Sequence, residues 1–236
     1  MSTLLLRLAA PLQSWGAVSK FNTRDTAREP TKSGVIGLLA AALGRNRAEP
    51  LDDLARLSFG VRIDQPGTIL RDWHNAKKAG SKNPDVTTRY YLADAVFLVG
   101  LEGDRELLEK LATALKNPVF PLYLGRRSCP PEGLLVLGLR EKPLRQALEE
   151  EDWQASEWFQ QQQFKRFGQV KLTIVCDANS HETAAFLRRD VPESFDQWHR
   201  RYGFRRVVDI PDAVAVHMKQ STDTETDHDA MAGWEG

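Results

Sequence analysis

Two hydrophobic periods alternate along this chain, and the switches between them mark its elements. Residues 3–10, TLLLRLAA, form an almost unbroken apolar run of strand length and predict a buried strand. PLQSWG at 11–16 breaks the run. Over 33–43, Val35, Ile36, Leu38, Leu39, Ala42 and Leu43 recur at helical spacing, with Thr31 or Ser33 set to cap the start and Gly44 to end it. A shorter helix follows Pro50 through Leu51, Leu54 and Leu57. Phe59, Val61 and Ile63 then alternate with polar residues, as in a half-buried strand. Residues 66–88 have little periodicity and hold Gly67, Gly80, Pro84 and several Lys and Arg. Residues 90–101 read as a second strong strand, and 104–116 as a helix with Leu107, Leu108, Leu111 and Leu115 on one face. Residues 134–139, LLVLGL, are a short buried strand.

This β-α-β-β-α-β order predicts an α+β fold, a ferredoxin-like, RRM-like N-terminal domain over 1–145 with an insertion at about 66–90. Residues 140–166 read as a linker with helical segments. Strands at 169–177 and 204–208, the latter followed by a turn at 209–211, point to a small β-rich C-terminal domain over 146–219. Residues 220–236 lack apolar periodicity and predict a disordered acidic tail.

The zero net charge of the 236 residues conceals an asymmetry. The tail carries Asp223, Glu225, Asp227, Asp229 and Glu235 and no Lys or Arg. Without those five, the 32 acids fall to 27 against 32 basic residues, so residues 1–219 are weakly basic, as in many nucleic-acid binders. No apolar run approaches a membrane span, and the N-terminus lacks a signal-peptide layout, so a cytoplasmic protein is expected. Cys129 and Cys176 are isolated thiols without metal-ligand spacing, so no metal or other cofactor is expected.

Chemistry concentrates in four places. LYLGRRSCPP at 122–131 reads as a short rigid loop in which Gly125 admits a close ligand, Arg126 and Arg127 offer guanidinium forks to phosphate, and Ser128 adds a neutral donor. A turn with two solvated arginines fits the same residues. Gln13, Ser14, Trp15 and Gly16 end the first strand, where Trp15 either stacks on a base or plugs the rim of the core. Arg28, Thr31, Lys32, Ser33 and Gly34 stand at a helix start, an anion site or simply a cap. Arg71, Trp73, His74, Lys77, Lys78, Arg89, Tyr90 and Tyr91 interleave cations with aromatics, as single-stranded nucleic acid requires. A further basic group, Arg188, Arg189, Arg200, Arg201, Arg205 and Arg206, is diluted by acids. No HExxH, GxSxG or Walker motif occurs. His74 with Tyr90 or Tyr91 is the one pairing suited to metal-independent RNA cleavage, the alternative to stacking or hydrogen bonding by His74.

LAAPLQSWG at 8–16, REPTKSGVIGLLAAALG at 28–44, RDWHN at 71–75 and LYLGRRSCPP at 122–131, in that order, closely resemble the CasD family of type I-E CRISPR Cascade subunits, within the RAMP superfamily. The likeness is good over about 3–138 and loose beyond. It implies that the insertion is a thumb reaching over RNA toward a neighbouring backbone subunit. It also implies a non-catalytic role: capping the complex by holding the 5′ handle of crRNA, beside the backbone subunit CasC and the large PAM-recognising subunit CasA, with target DNA met only through the complex. By motif position, 13–16, 31–34, the thumb and 125–128 become handle contacts. A related branch cleaves repeats with a Tyr, a Lys and a His, the last two adjacent; no Lys-His dipeptide occurs here, and in type I-E systems the separate subunit CasE does the cutting.

Overall fold

A computed structural model describes residues 1–16, 23–77 and 85–216. In chain order the elements are β1 (Ser2–Ala9), β2 (Leu12–Gln13), β3 (Thr23–Arg24), α1 (Lys32–Ala42), α2 (Asp52–Ala55), β4 (Ser58–Gln65), β5 (Thr68–Ala76), β6 (Asp85–Ala93), β7 (Val96–Gly103), α3 (Arg105–Lys116), β8 (Val136–Arg140), α4 (Leu144–Glu150), α5 (Glu157–Phe167), β9 (Val170–Asp177), β10 (Phe186–Ser194) and β11 (Arg201–Val216). The architecture is mixed α+β, with a mostly antiparallel main sheet of order β10-β11-β9-β4-β7-β1-β8.

β1 pairs with β7 on one side and β8 on the other, and its apolar run is buried on both faces. Leu4, Leu6 and Leu8 point to one core with α1 and α3; Leu5 points to a second core with Leu144, Ala147 and Leu148 of α4. Two caps set the first layer. The Thr31 hydroxyl accepts from Gly34 N–H at 3.2 Å to start α1, and Asp104 accepts from Leu107 N–H at 3.1 Å to start α3. On the other face α4 lies so close to the sheet that a Cβ on Gly100 would stand 2.6 Å from Leu144 Cδ1.

α4 is therefore core, where the sequence suggested a linker. Its C-terminal carbonyls explain the difference. The buried Arg62 of β4 donates to Leu148 O, Glu151 O and Asp152 O at 2.6–2.7 Å, and pairs with Asp64 through two further bonds of 2.7 and 2.8 Å. One guanidinium thus satisfies a helix end that apolar periodicity cannot reveal.

The C-terminal strands also differ from expectation. β9 pairs with β4, from Gly60↔Cys176 to Ile63↔Thr173, so β9–β11 extend the N-terminal sheet and no break in it falls near residue 145. The turn expected at 209–211 is a register shift between Ile210 and Val214, with Asp212 at φ 56°, inside one long strand. The single strand expected at 90–101 is two strands of different sheets. The chain turns at Asp94, at φ 57°, whose carbonyl is held by Gln65 Nε2 at 2.6 Å. The aperiodic 66–88 is largely a hairpin, β5 against β6 from Thr68↔Ala93 to Ala76↔Asp85. Lys78 and the acidic tail lie outside the described residues.

Arg62→Ala should cost about 3–5 kcal/mol in chemical denaturation, because it strands the Asp64 carboxylate and three carbonyls in the interior. Arg62→Met combined with Asp64→Leu removes both charges and should recover part of that loss.

Candidate nucleic-acid interface

Ala9 and Gln65 both pair with Val96, so β1 and β4 finish at the same end of the sheet. From that end the β5–β6 hairpin rises and β1 runs on to Ser14. The 122–131 loop returns to it, with Glu132 N–H bonded to Ala9 O at 2.7 Å. Segments far apart in sequence are thereby gathered together.

Backbone bonds from Leu124 N–H to Cys129 O, 2.7 Å, and from Cys129 N–H to Arg126 O, 2.9 Å, tie the loop into a tight turn. Ser14 N–H donates to Leu124 O at 3.1 Å, and Gly125, at φ 87°, faces the same residue. A Cβ there would stand 1.6 Å from Ser14 O. Gly125 serves close packing of loop on strand. The Arg126 guanidinium lies 4.6 Å above the Tyr91 ring and donates through Nη2 to Arg24 O at 2.9 Å. Its Nη1 is buried and, among the described residues, has no hydrogen-bond partner. Arg127 and Ser128 are exposed. Burial pushes the Tyr91 hydroxyl up, but the polar groups of nearby Arg126, Ser128 and Arg89 outweigh it and hold the group below the ordinary tyrosine value. Burial raises the Cys129 and Cys176 thiols, in keeping with structural cysteines.

The hairpin register divides its residues by face. Leu70, Asp72 and His74 share a face with Tyr91, Arg89 and Thr87; Arg71, Trp73 and Asn75 share the other with Tyr90, Thr88 and Val86. Arg71 stacks on Trp73 at 4.8 Å, and that indole is 63% exposed; Lys77 is exposed further along. His74 pairs with Asp72. Tyr90 is on the opposite face, and Tyr91 pairs four positions along, ~13 Å at strand spacing. The structure does not assemble the His–Tyr pair.

Two other clusters are scaffold rather than open contacts. Gln13 is fully buried, its amide donating to Leu8 O and Ala95 O at 3.2 and 2.7 Å while its carbonyl accepts from the Trp15 indole at 3.0 Å. Trp15 is 1% exposed and packs on Gly34, and the buried Ser14 hydroxyl donates to Tyr90 O at 3.3 Å. Trp15 is thus a core plug, and only Gly16 of that group is exposed. At the start of α1, Thr31 is spent on its cap. The Lys32 N–H donates to the Asp190 carboxylate at 3.0 Å, so the expected anion site holds the chain's own anion. Lys32 is buried, its ammonium 3.6 Å from Asp177 and its pKa lowered by burial. Arg205 bridges Asp177 and Asp190 at 2.6 Å each. Ser33 and Gly34 are half-buried, and Arg28 is exposed. Of the late arginines, Arg188 is paired with Glu29, and Arg206 holds the carbonyls of Ser180 and Glu182; Arg200 and Arg201 are exposed. Sequence reading missed Arg24, whose contribution is a backbone carbonyl and leaves no side-chain signal. It also missed Tyr123, an exposed aromatic at the start of the 122–131 loop.

Among the described residues, no group of three or more His, Cys, Asp or Glu could hold a metal ion, and no helix is long and apolar enough to cross a membrane.

A loop of paired arginines fastened beside an aromatic hairpin defines a basic, aromatic surface on an α+β scaffold. Residues 3–208 match the family described as CRISPR-associated protein (Cas_Cas5), and the chain belongs to that family. It is 39% identical over 158 residues to the CRISPR system Cascade subunit CasD of Escherichia coli K12, covering 58% of this chain and 70% of that one. A solved chain of a CRISPR RNA-guided surveillance complex is 35% identical, with a TM-score of 0.73 over 92% of this chain and 95% of that one. A crystal structure of a Cas protein is 42% identical, with a TM-score of 0.68 over 89% and 94%.

Gly125→Ala should lower stability by ~2 kcal/mol or more in thermal denaturation, since the new methyl enters the Ser14 carbonyl at a backbone angle L residues avoid. Gly168→Ala, at φ 71° with open space around it, serves as the milder control.

Proposed function

We propose that this protein is a non-catalytic RNA-binding subunit of a type I-E Cascade surveillance complex, holding the 5′ handle of the crRNA. The family and the E. coli relative support membership of such a complex. The observation that carries RNA binding is Arg126. It is braced on Tyr91 and Arg24 O, with exposed Arg127 beside it, and its Nη1 lacks the acceptor that a buried donor requires. A phosphate oxygen that displaces what covers Nη1 supplies that acceptor, and exposed Arg127 neutralises the next phosphate.

On this reading the strands in order β8-β1-β7-β4, with α1 and α3, are a ferredoxin-like, RRM-like palm. The β5–β6 hairpin is the thumb, offering Arg71, Trp73 and Tyr90 on one face to stacked bases and to the adjacent CasC subunit. CasA lies beside the same end, target DNA is met through the complex, and the assembly works in the cytoplasm. The non-catalytic assignment is supported by the separation of His74 from both tyrosines and by its pairing with Asp72.

The test uses end-labelled repeat RNA and the isolated 5′ handle, in EDTA, on native and denaturing gels. The RNA should shift and stay intact. Arg126→Ala with Arg127→Ala should weaken binding about tenfold or more and lower the slope of log affinity against log salt by ~0.7 for each phosphate no longer neutralised. Unchanged affinity would remove the loop from the interface. Cleavage that vanishes in His74→Ala would make the chain a metal-independent nuclease.

A further inference from the structure

A groove of about 440 Å³ runs along one face of α1 and is bordered by Tyr123 and Gly125 of the 122–131 loop. Its floor is Gly37 and Ala41, which present almost no side chain. One wall is Phe120 and Tyr123; the other is Phe195, from the β10–β11 connection, and Tyr202, at the start of β11. The walls are held in place by backbone. Phe120 N–H donates to Ala41 O at 3.2 Å, and Val119 N–H to Ala42 O at 3.0 Å. The Phe195 ring is set over Gly37, where a Cβ would meet it at an ordinary 3.7 Å.

Among the described residues, three arginines line this groove, Arg45, Arg47 and Arg200, and no Asp or Glu does. Arg45 is engaged by Asp53 and Pro50 O, which leaves exposed Arg47 and Arg200 at the rim. Ser33 and Asn46 add polar edges, and Gly125 makes the groove continuous with the arginine loop. Flat aromatic walls, a floor without side chains and a purely cationic rim suit a planar ring joined to phosphates. The volume lies in the range of small-ligand pockets.

We infer that this groove is a nucleotide slot, taking one unstacked base of a single-stranded RNA between Tyr123 and the Phe195–Tyr202 wall, with the flanking phosphates on Arg47 and Arg200. The inference rests on the RNA-binding role proposed above and adds a second contact surface, separate from the hairpin. Stacking on aromatic walls is tolerant of base identity, so position along the strand rather than base type selects the occupant.

The test is a set of repeat-derived single-stranded RNAs, each with 4-thiouridine at one position, photocrosslinked to the full-length protein and mapped by mass spectrometry. One position should crosslink to Tyr123, Phe195 or Tyr202. Gly37→Met fills the floor while improving helix propensity, and should abolish that crosslink and weaken binding about tenfold, the effect of removing one stacked base. Tyr123→Ala with Phe195→Ala, which removes the walls without adding bulk, should do the same. Tight binding by wild type and both variants alike, with crosslinks elsewhere, would overturn the slot and leave the arginine loop standing. Failure of the wild-type protein to bind RNA would overturn both. Normal RNA binding by Gly37→Met with failure to join other Cascade subunits would make the groove a protein-docking surface and refute the nucleotide slot.

Discussion

The structure depends on β1 being buried on both faces. A central strand with Leu4, Leu6 and Leu8 on one side and Leu5 on the other cannot be stable beneath a single layer of helices. α1 and α3 cover the first face and α4 the second, and Arg62 fastens α4 by satisfying its terminal carbonyls. Because β1 and β4 end together, the segments that follow them emerge at one edge. The arginine loop and the hairpin meet there as a consequence of how the core is closed.

Buried charge performs the second fastening. Lys32, Arg205, Asp177 and Asp190 join the start of α1 to β9, β10 and β11, with the two cations balancing the two anions and Asp177 also accepting from Phe59 N–H at 2.9 Å. Such a cluster contributes less to stability than its Coulomb energy suggests, since all four groups lose hydration. Its effect here is positional. It holds the C-terminal strands against α1, so that Phe195 and Tyr202 close one wall of the groove. It also uses up a helix start that, in isolation, would attract phosphate.

In the proposed role, rigidity and reach are divided between two supports. The 122–131 loop is pinned by its own backbone bonds, by Ser14 and by Tyr91, which orients Arg126 before any ligand arrives. The hairpin instead carries exposed Trp73 and Arg71 away from the core, where they meet a strand or a neighbouring subunit at the cost of little internal packing. A flat groove beside the loop extends the same basic surface across α1.

Strong local periods were legible without any structure. The cap of α1, the helical faces of α1 and α3, the apolar run of β1 and the chain order of β1, α1, β4, α3 and β8 follow from spacing alone, because local residues supply both the signal and the cause. The grouping of Arg126 and Arg127 in a tight loop was legible for the same reason. Sequence could not tell that Gln13, Trp15 and Lys32 are internal, since a polar or aromatic residue next to a motif reads alike whether its partner is a ligand or the chain itself. Those partners, Ala95, Gly34 and Asp190, are distant in sequence. Nor could it find α4 as core, the extension of one sheet into the C-terminal strands, or the groove walls, each of which depends on packing between remote segments. Composition and period determined the elements and the basic, aromatic character of the chain; long-range pairing alone decided which of those residues reach solvent.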